Sequence, residues 1–202
     1  MENLNEQMVP RQSQGSKMDA VEEREFNTVE TANKVFTSAC ERMLLVHHWG
    51  KYSPGTDFRL FDIQGNPVER PAVVGDFIQI DIPGPGTLSG KGYDWVYIED
   101  IQAYQSEAGQ SLGMRVRPCK NPMTSGEEVA HFLEDAATST FIIRREGTQV
   151  WAEEHGRNEM VNLGAEKLID KARNVVVGLS AKIGLSYPQW KMLVKGLLDG
   201  SV

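Results

Sequence analysis

The feature that most constrains this chain is a change of hydrophobic period. Between Phe58 and His155 apolar residues recur at every second position in about six short runs, whereas the segments on either side carry helical spacing. In Asp76 to Ile82, Ile78, Ile80 and Ile82 alternate with Phe77, Gln79 and Asp81, and this is the clearest strand in the sequence. Phe58 to Asp62 is a second strand, closed by the turn Gln64-Gly65-Asn66-Pro67. Tyr93 to Tyr104 alternates Trp95, Tyr97 and Glu99 against Val96, Ile98 and Asp100, and Leu112, Met114 and Val116 alternate with Gly113, Arg115 and Arg117 across the turn Glu107-Ala108-Gly109. A hairpin of Thr138 to Arg145 and Gln149 to His155 turns at Glu146-Gly147-Thr148.

The flanks predict helices. A weak strand at Arg24 to Val29 is followed by a cap at Asn27 or Thr28, with Glu30 placed as in a capping box, and by helical spacing through Val35, Ala39, Met43 and Leu44 to about His48. Ser125 with Glu128 opens a short helix through about Glu134. After Asn162 the pattern Leu168, Ala172, Val175 or Val176, Leu179, Ile183 predicts a long amphipathic helix. Ser186, Pro188 and Gln189 open a last helix, 186–199, that carries Trp190, Leu193, Val194 and Leu197. Strands grouped together and flanked by helices predict an α+β domain.

At 202 residues one domain is expected over 24–202, and 40% hydrophobic residues suffice for its core. Residues 1–23, rich in Gln, Asn, Glu and Ser, are expected to form a disordered, dispensable tail. The net charge of -7 disfavours generic binding to nucleic acid or an anionic membrane. The N-terminus lacks the pattern of a signal peptide, and no apolar run approaches the roughly 18 residues needed for membrane insertion. The two cysteines, Cys40 and Cys119, suit a reducing compartment, so a cytoplasmic location and packing roles for both thiols are expected.

Chemistry-bearing motifs are sparse. The stretch from Pro83 to Gly92 is glycine-rich but lacks phosphate-loop spacing, and its prolines remove backbone donors. His47 and His48 are adjacent and point about 100° apart on a helix, and His131 and His155 are isolated, so no metal and no cofactor are expected. The densest polar stretch is Glu153 to Glu159. A histidine between carboxylates suits general acid or base work, so His155, Glu153 and Arg157 are the candidate catalytic residues, with Asp94 a further one. The competing reading is a solvated ladder of paired charges, because alternation sets Glu153, His155 and Arg157 on one face and Glu154 on the other. Arg115, Arg117, Arg144 and Arg145 are expected as cross-strand partners of acidic residues. Trp95, Tyr97, Met114 and Phe141 are large enough to line a cavity.

The element order, with TANKVFTSACERMLLVHHWG, VGDFIQIDI, YDWVYIEDI and the final helix in sequence, resembles the START-like and Bet v 1-like helix-grip superfamily, which includes polyketide cyclase-like proteins. The resemblance implies an antiparallel sheet wrapped around a long C-terminal helix and an apolar cavity that takes a small molecule or lipid. An enzyme of the cyclase, dehydratase or hydrolase kind using His155 at the cavity mouth is the second expectation. A third is an interaction domain that docks a partner through its tail or last helix.

Overall fold

A computed structural model describes residues 8–81, 89–107, 109–162 and 187–199. Among the described residues eight strands form one antiparallel sheet: β1 (Ser16–Glu25), β2 (Asp57–Phe61), β3 (Pro67–Val68), β4 (Phe77–Asp81), β5 (Asp94–Gln105), β6 (Gly109–Pro118), β7 (Thr138–Glu146) and β8 (Gln149–Glu159). Their order across the sheet is β1-β8-β7-β6-β5-β4-β2-β3, so the first strand in sequence pairs with the last. Helix α1 (Val29–Leu44) leads into a short 3-10 turn, Val46–Lys51. Residues 187–199 form α2. The fold class is α+β, as the change of period predicts.

Thr28 starts α1 by accepting a hydrogen bond from the Thr31 amide at 3.1 Å, which satisfies one of the free donors of the first turn. Ala32, Phe36, Ala39 and Met43 follow at intervals of three and four and pack on the sheet. They share one core with Phe58 and Leu60 of β2, Ile78 and Ile80 of β4, Val96 and Ile98 of β5, Met114 and Val116 of β6, Phe141 and Ile143 of β7, and Leu193, Val194, Leu197 and Leu198 of α2. That helix-bearing side is the inner face. The opposite side, the outer face, carries Tyr97, Arg115, Arg117, Arg144, Glu153 and His155, as the strict two-residue period requires.

The register shifts between Ile98 and Asp100, where Glu99 is one residue more than its partner strand carries. The bulge lets Glu99 receive both Arg115 and Arg117. Helix α2 lies close against the 3-10 turn: a Cβ added at Gly196 would sit 2.4 Å from Tyr52 Cβ. Arg42 Nη1 donates to the Leu197 carbonyl at 2.7 Å, and Arg24 pairs with Asp199.

The structure departs from the sequence expectations in three places. Residues 16–23, assigned by composition to a tail, form most of β1, which begins eight residues before the strand expected at Arg24. Ahead of it, Met8 is fully buried, and its carbonyl accepts from Arg115 Nη1 at 2.8 Å. The Asn158 side chain then gathers this segment: its Oδ1 accepts from the Ser13 amide at 2.8 Å, the Ser13 hydroxyl at 3.0 Å and the Gln14 amide at 3.3 Å. The polar residues of this segment are thus ordered by hydrogen bonds to β8, in addition to the burial of Met8. Second, no helix forms at 125–134. The Trp95 amide donates to the Ala130 carbonyl at 2.7 Å, the Ala130 amide to Cys119 at 2.9 Å and the Glu134 amide to Met160 at 2.9 Å, so tertiary bonds take the backbone groups a helix would have used. Third, α1 ends at Leu44 and the 3-10 turn carries His47 and His48. The helix expected from Asn162 to Ile183 lies outside the described residues.

Candidate functional site

An apolar cavity of about 30 Å³ lies on the inner face. Its aromatic wall is built from three places in the chain: Trp49 of the 3-10 turn, Phe141 of β7 and Trp190 of α2. Trp49 and Phe141 are 4.8 Å apart between ring centroids, and Phe141 and Trp190 are 5.5 Å apart and edge to face. Trp49 Nε1 donates to the carbonyls of Arg42 and Met43, which fixes the indole although it is almost fully buried. Ile78, Ile80, Val96 and Val116 supply the sheet wall, and Phe132 and Leu133 of the 119–137 connection close one side.

Polar groups are few in this lining. His131, Ser139 and Glu159 contribute to it. His131 Nδ1 accepts from the Leu133 amide at 3.0 Å, which holds the connection in shape. Asp94 does the same from β5, accepting from the Phe132 amide at 3.1 Å.

Next to this wall stands Glu154. It is the cross-strand partner of Phe141, so its carboxyl is on the inner face, and it is fully buried. Among the described residues its carboxyl meets only the Ser139 hydroxyl, which favours the ionised form slightly, and neither oxygen makes a hydrogen bond of normal geometry. Burial drives the carboxyl well above the usual carboxylate range, and the nearby Glu159 pushes it further in the same direction. Burial also raises Glu159, against the hydrogen bond from Ser16 Oγ at 3.1 Å. Gly156 makes room for this second acid, since a Cβ there would lie 2.4 Å from Glu159 Oε1.

The candidate catalytic trio is assembled on the other face. His155 Nδ1 lies 2.6 Å from Asp19 Oδ1 and Nε2 lies 2.8 Å from Glu153 Oε2. Arg157 Nη2 donates to the same Asp19 oxygen at 2.7 Å, and Arg144 pairs with Glu153 while its guanidinium covers the Trp151 ring at 3.6 Å. Burial opposes charge on the His155 ring, but the hydrogen bonds its ring nitrogens donate to the Glu153 and Asp19 carboxylates prevail and raise its pKa. The ladder of paired charges expected from alternation is therefore present, but it is buried: Glu153 is 4% exposed and His155 9%. The sheet separates it from the cavity, so His155 does not stand at the cavity mouth.

Of the four side chains expected to line a cavity, Phe141 does so, and Met114 is buried in the same core as its cross-strand partner. Trp95 instead packs with Phe61 and Ala130 in a separate cluster, 5.1 Å from the Phe61 ring. Tyr97 lies on the outer face, where its hydroxyl donates to Glu99 at 3.3 Å. Their positions follow from the two-residue period, which sets Val96 and Ile98 inward. Trp49, Trp190 and Glu154 were missed as site residues. Glu154 was legible, because Val150, Ala152 and Glu154 fall on one face; the two tryptophans reach the site through tertiary packing alone.

Arg115, Arg117 and Arg144 have acidic partners as expected, whereas Arg145 points inward and donates to the Gly147 carbonyl at 2.9 Å. Burial pushes the thiols of Cys40 and Cys119 up to about 12, which suits packing roles. Among the described residues no group of three His, Cys, Asp or Glu side chains is placed to hold a metal, and no helix is long and apolar enough to cross a membrane.

No family model and no curated protein matches the sequence. Among solved structures the chain is similar to a hypothetical protein from Helicobacter pylori, with a TM-score of 0.51 and 11% identity over 92% of this chain and 88% of that one. This supports the α+β fold alone. Weaker likenesses include a major latex-like protein from Panax ginseng, with a TM-score of 0.36 and 11% identity over 86% of this chain and 99% of that one. Norcoclaurine synthase from Thalictrum flavum, in truncated form, has a TM-score of 0.34 and 12% identity over 86% of this chain and 98% of that one. Both scores are too low to carry an inference about this chain.

Proposed function

We propose that the chain is a helix-grip binding module that takes a small, largely apolar molecule between the inner face of its sheet and α2. The observation that carries this reading is the wall of Trp49, Phe141 and Trp190 beside the buried Glu154 carboxyl, the combination of apolar lining and a few polar groups found in ligand sites. An open volume of about 30 Å³ holds one water-sized group, so a larger ligand has to displace part of the wall. Trp190 is the side chain for that role, since it alone among the apolar lining residues is only partly buried.

Titration with fatty acids, sterols, flavonoids and polyketide-like aromatics, read by tryptophan fluorescence and by melting temperature, tests the proposal. A ligand should quench or shift the emission and raise the melting temperature as its concentration passes its Kd. Absence of both responses across the panel would refute binding. The enzyme alternative draws no support from His155, whose two ring nitrogens are engaged on the outer face. The interaction alternative loses most of the surface expected on the last helix, because Leu193, Val194 and Leu197 are buried in the core.

A further inference from the structure

We propose that Glu154 and Glu159 form a head-group subsite of this cavity and that the ligand is an apolar molecule ending in a protonated amine. The inference rests on the small-molecule reading above and narrows its ligand class.

Three observations converge on it. Glu154 is completely buried, and among the described residues its carboxyl has only the Ser139 hydroxyl beside it, with no hydrogen bond of normal geometry at either oxygen, a costly arrangement for a purely structural acid. Every other acid of the same strand is satisfied: Glu153 holds Arg144 and His155, and Glu159 receives Ser16. Position supplies the second observation. Glu154 is paired across the strands with Phe141, and Gly156, over which the Glu159 carboxyl lies, is paired with Ser139. Phe141, Ser139 and Glu159 all line the cavity, so the two acids stand together at one end of an otherwise apolar space.

Size is the third. The open volume of about 30 Å³ suits a group as small as an ammonium head, not a ring. An ammonium group would give Glu154 the charge-assisted donors it lacks. Asp19 adds negative potential at Glu154 and Arg157 offsets part of it, but both lie on the outer side of the sheet. A carboxylate ligand would instead bring a third acid to a place that already disfavours ionisation of the two it holds, so it would have to take up a proton to bind. A hard divalent metal requires six or more oxygens, and no such group is assembled among the described residues.

The test compares decylamine, decanol and decanoate as probes of equal chain length, titrated into the full chain at pH 7 and followed by tryptophan emission and calorimetry. Decylamine should bind about tenfold or more tightly than decanol, with decanoate weakest. Glu154→Gln, which keeps the side-chain shape, should abolish the preference for the amine over decanol while leaving the far-ultraviolet spectrum intact. Glu159→Gln provides an independent variant and should reduce the preference. If decanol binds as tightly as decylamine, or if the preference survives in both variants, the subsite proposal is overturned while the binding reading stands. If none of the three probes binds, the subsite falls together with the cavity reading.

Discussion

Asn158 shows how one side chain fixes a long stretch of chain. Its backbone has φ of 56°, in the left-handed region that Asn tolerates better than most residues, and this turns the carboxamide toward residues 11–14. Asn158→Ala removes three accepted hydrogen bonds and worsens the backbone strain, so it should lower stability by about 2 kcal/mol in urea unfolding. Asn158→Asp keeps the acceptor and should stay closer to the parent. His155 gives a pH signature. With its folded pKa raised above the ordinary 6.5, its contribution to stability is complete below that value and is lost as pH rises through the folded pKa. Glu153 and Asp19, held low despite burial, contribute in the opposite sense and are lost only as pH falls through their depressed values. Urea midpoints of the parent should therefore decline above about pH 6.5. The His155→Gln variant should show a smaller decline over the same range, and an unchanged slope would mean that the ring does not titrate in this network.

At the scale of elements, the two faces of the sheet call for different outcomes from similar substitutions. Trp95→Ala opens a hole beside Phe61 and Ala130 and should cost about 3–5 kcal/mol. It should leave ligand-induced shifts in melting temperature unchanged. Phe141→Ala should cost a comparable amount and also weaken the ligand response, because its ring is part of the cavity wall. Gly196→Ala addresses α2 separately: the added methyl meets the Tyr52 side chain, so the helix has to shift, with a loss of about 1–3 kcal/mol and altered Trp190 emission. Most elements were legible in the sequence where period and caps agreed. Ile78 and Ile80 in β4, Thr28 at the start of α1 and the hairpin around Gly147 are examples. The 119–137 connection was misread because Ser125 and Glu128 carry a local helix signal that the distant Trp95 and Met160 backbones override. β1 was placed late because Lys17, Asp19, Glu22 and Glu23 look like a tail until their strand partners on β8 are known.

Across the whole molecule, the cavity depends on groups from Trp49 to Trp190, and no local window of sequence brings them together. The inner sheet face was legible from alternation; the cavity was not, since Trp49 and Trp190 reach it only after both helices dock. The segment ahead of β1 belongs to the folded unit in the same way. Removing residues 1–15 takes away the buried Met8 and the bonds at Asn158, so the melting temperature should fall by several degrees in calorimetry. A truncated chain melting with the parent would show that this segment adds nothing. The pairing of β1 with β8 also sets an order of events during synthesis. Ser16 meets Glu159, so the first strand to leave the ribosome waits unpaired until the last has emerged. Closing so long a loop is slow. Nascent chains arrested before residue 149 should therefore keep β1 open to protease, and protection should appear only once β8 is outside the exit tunnel.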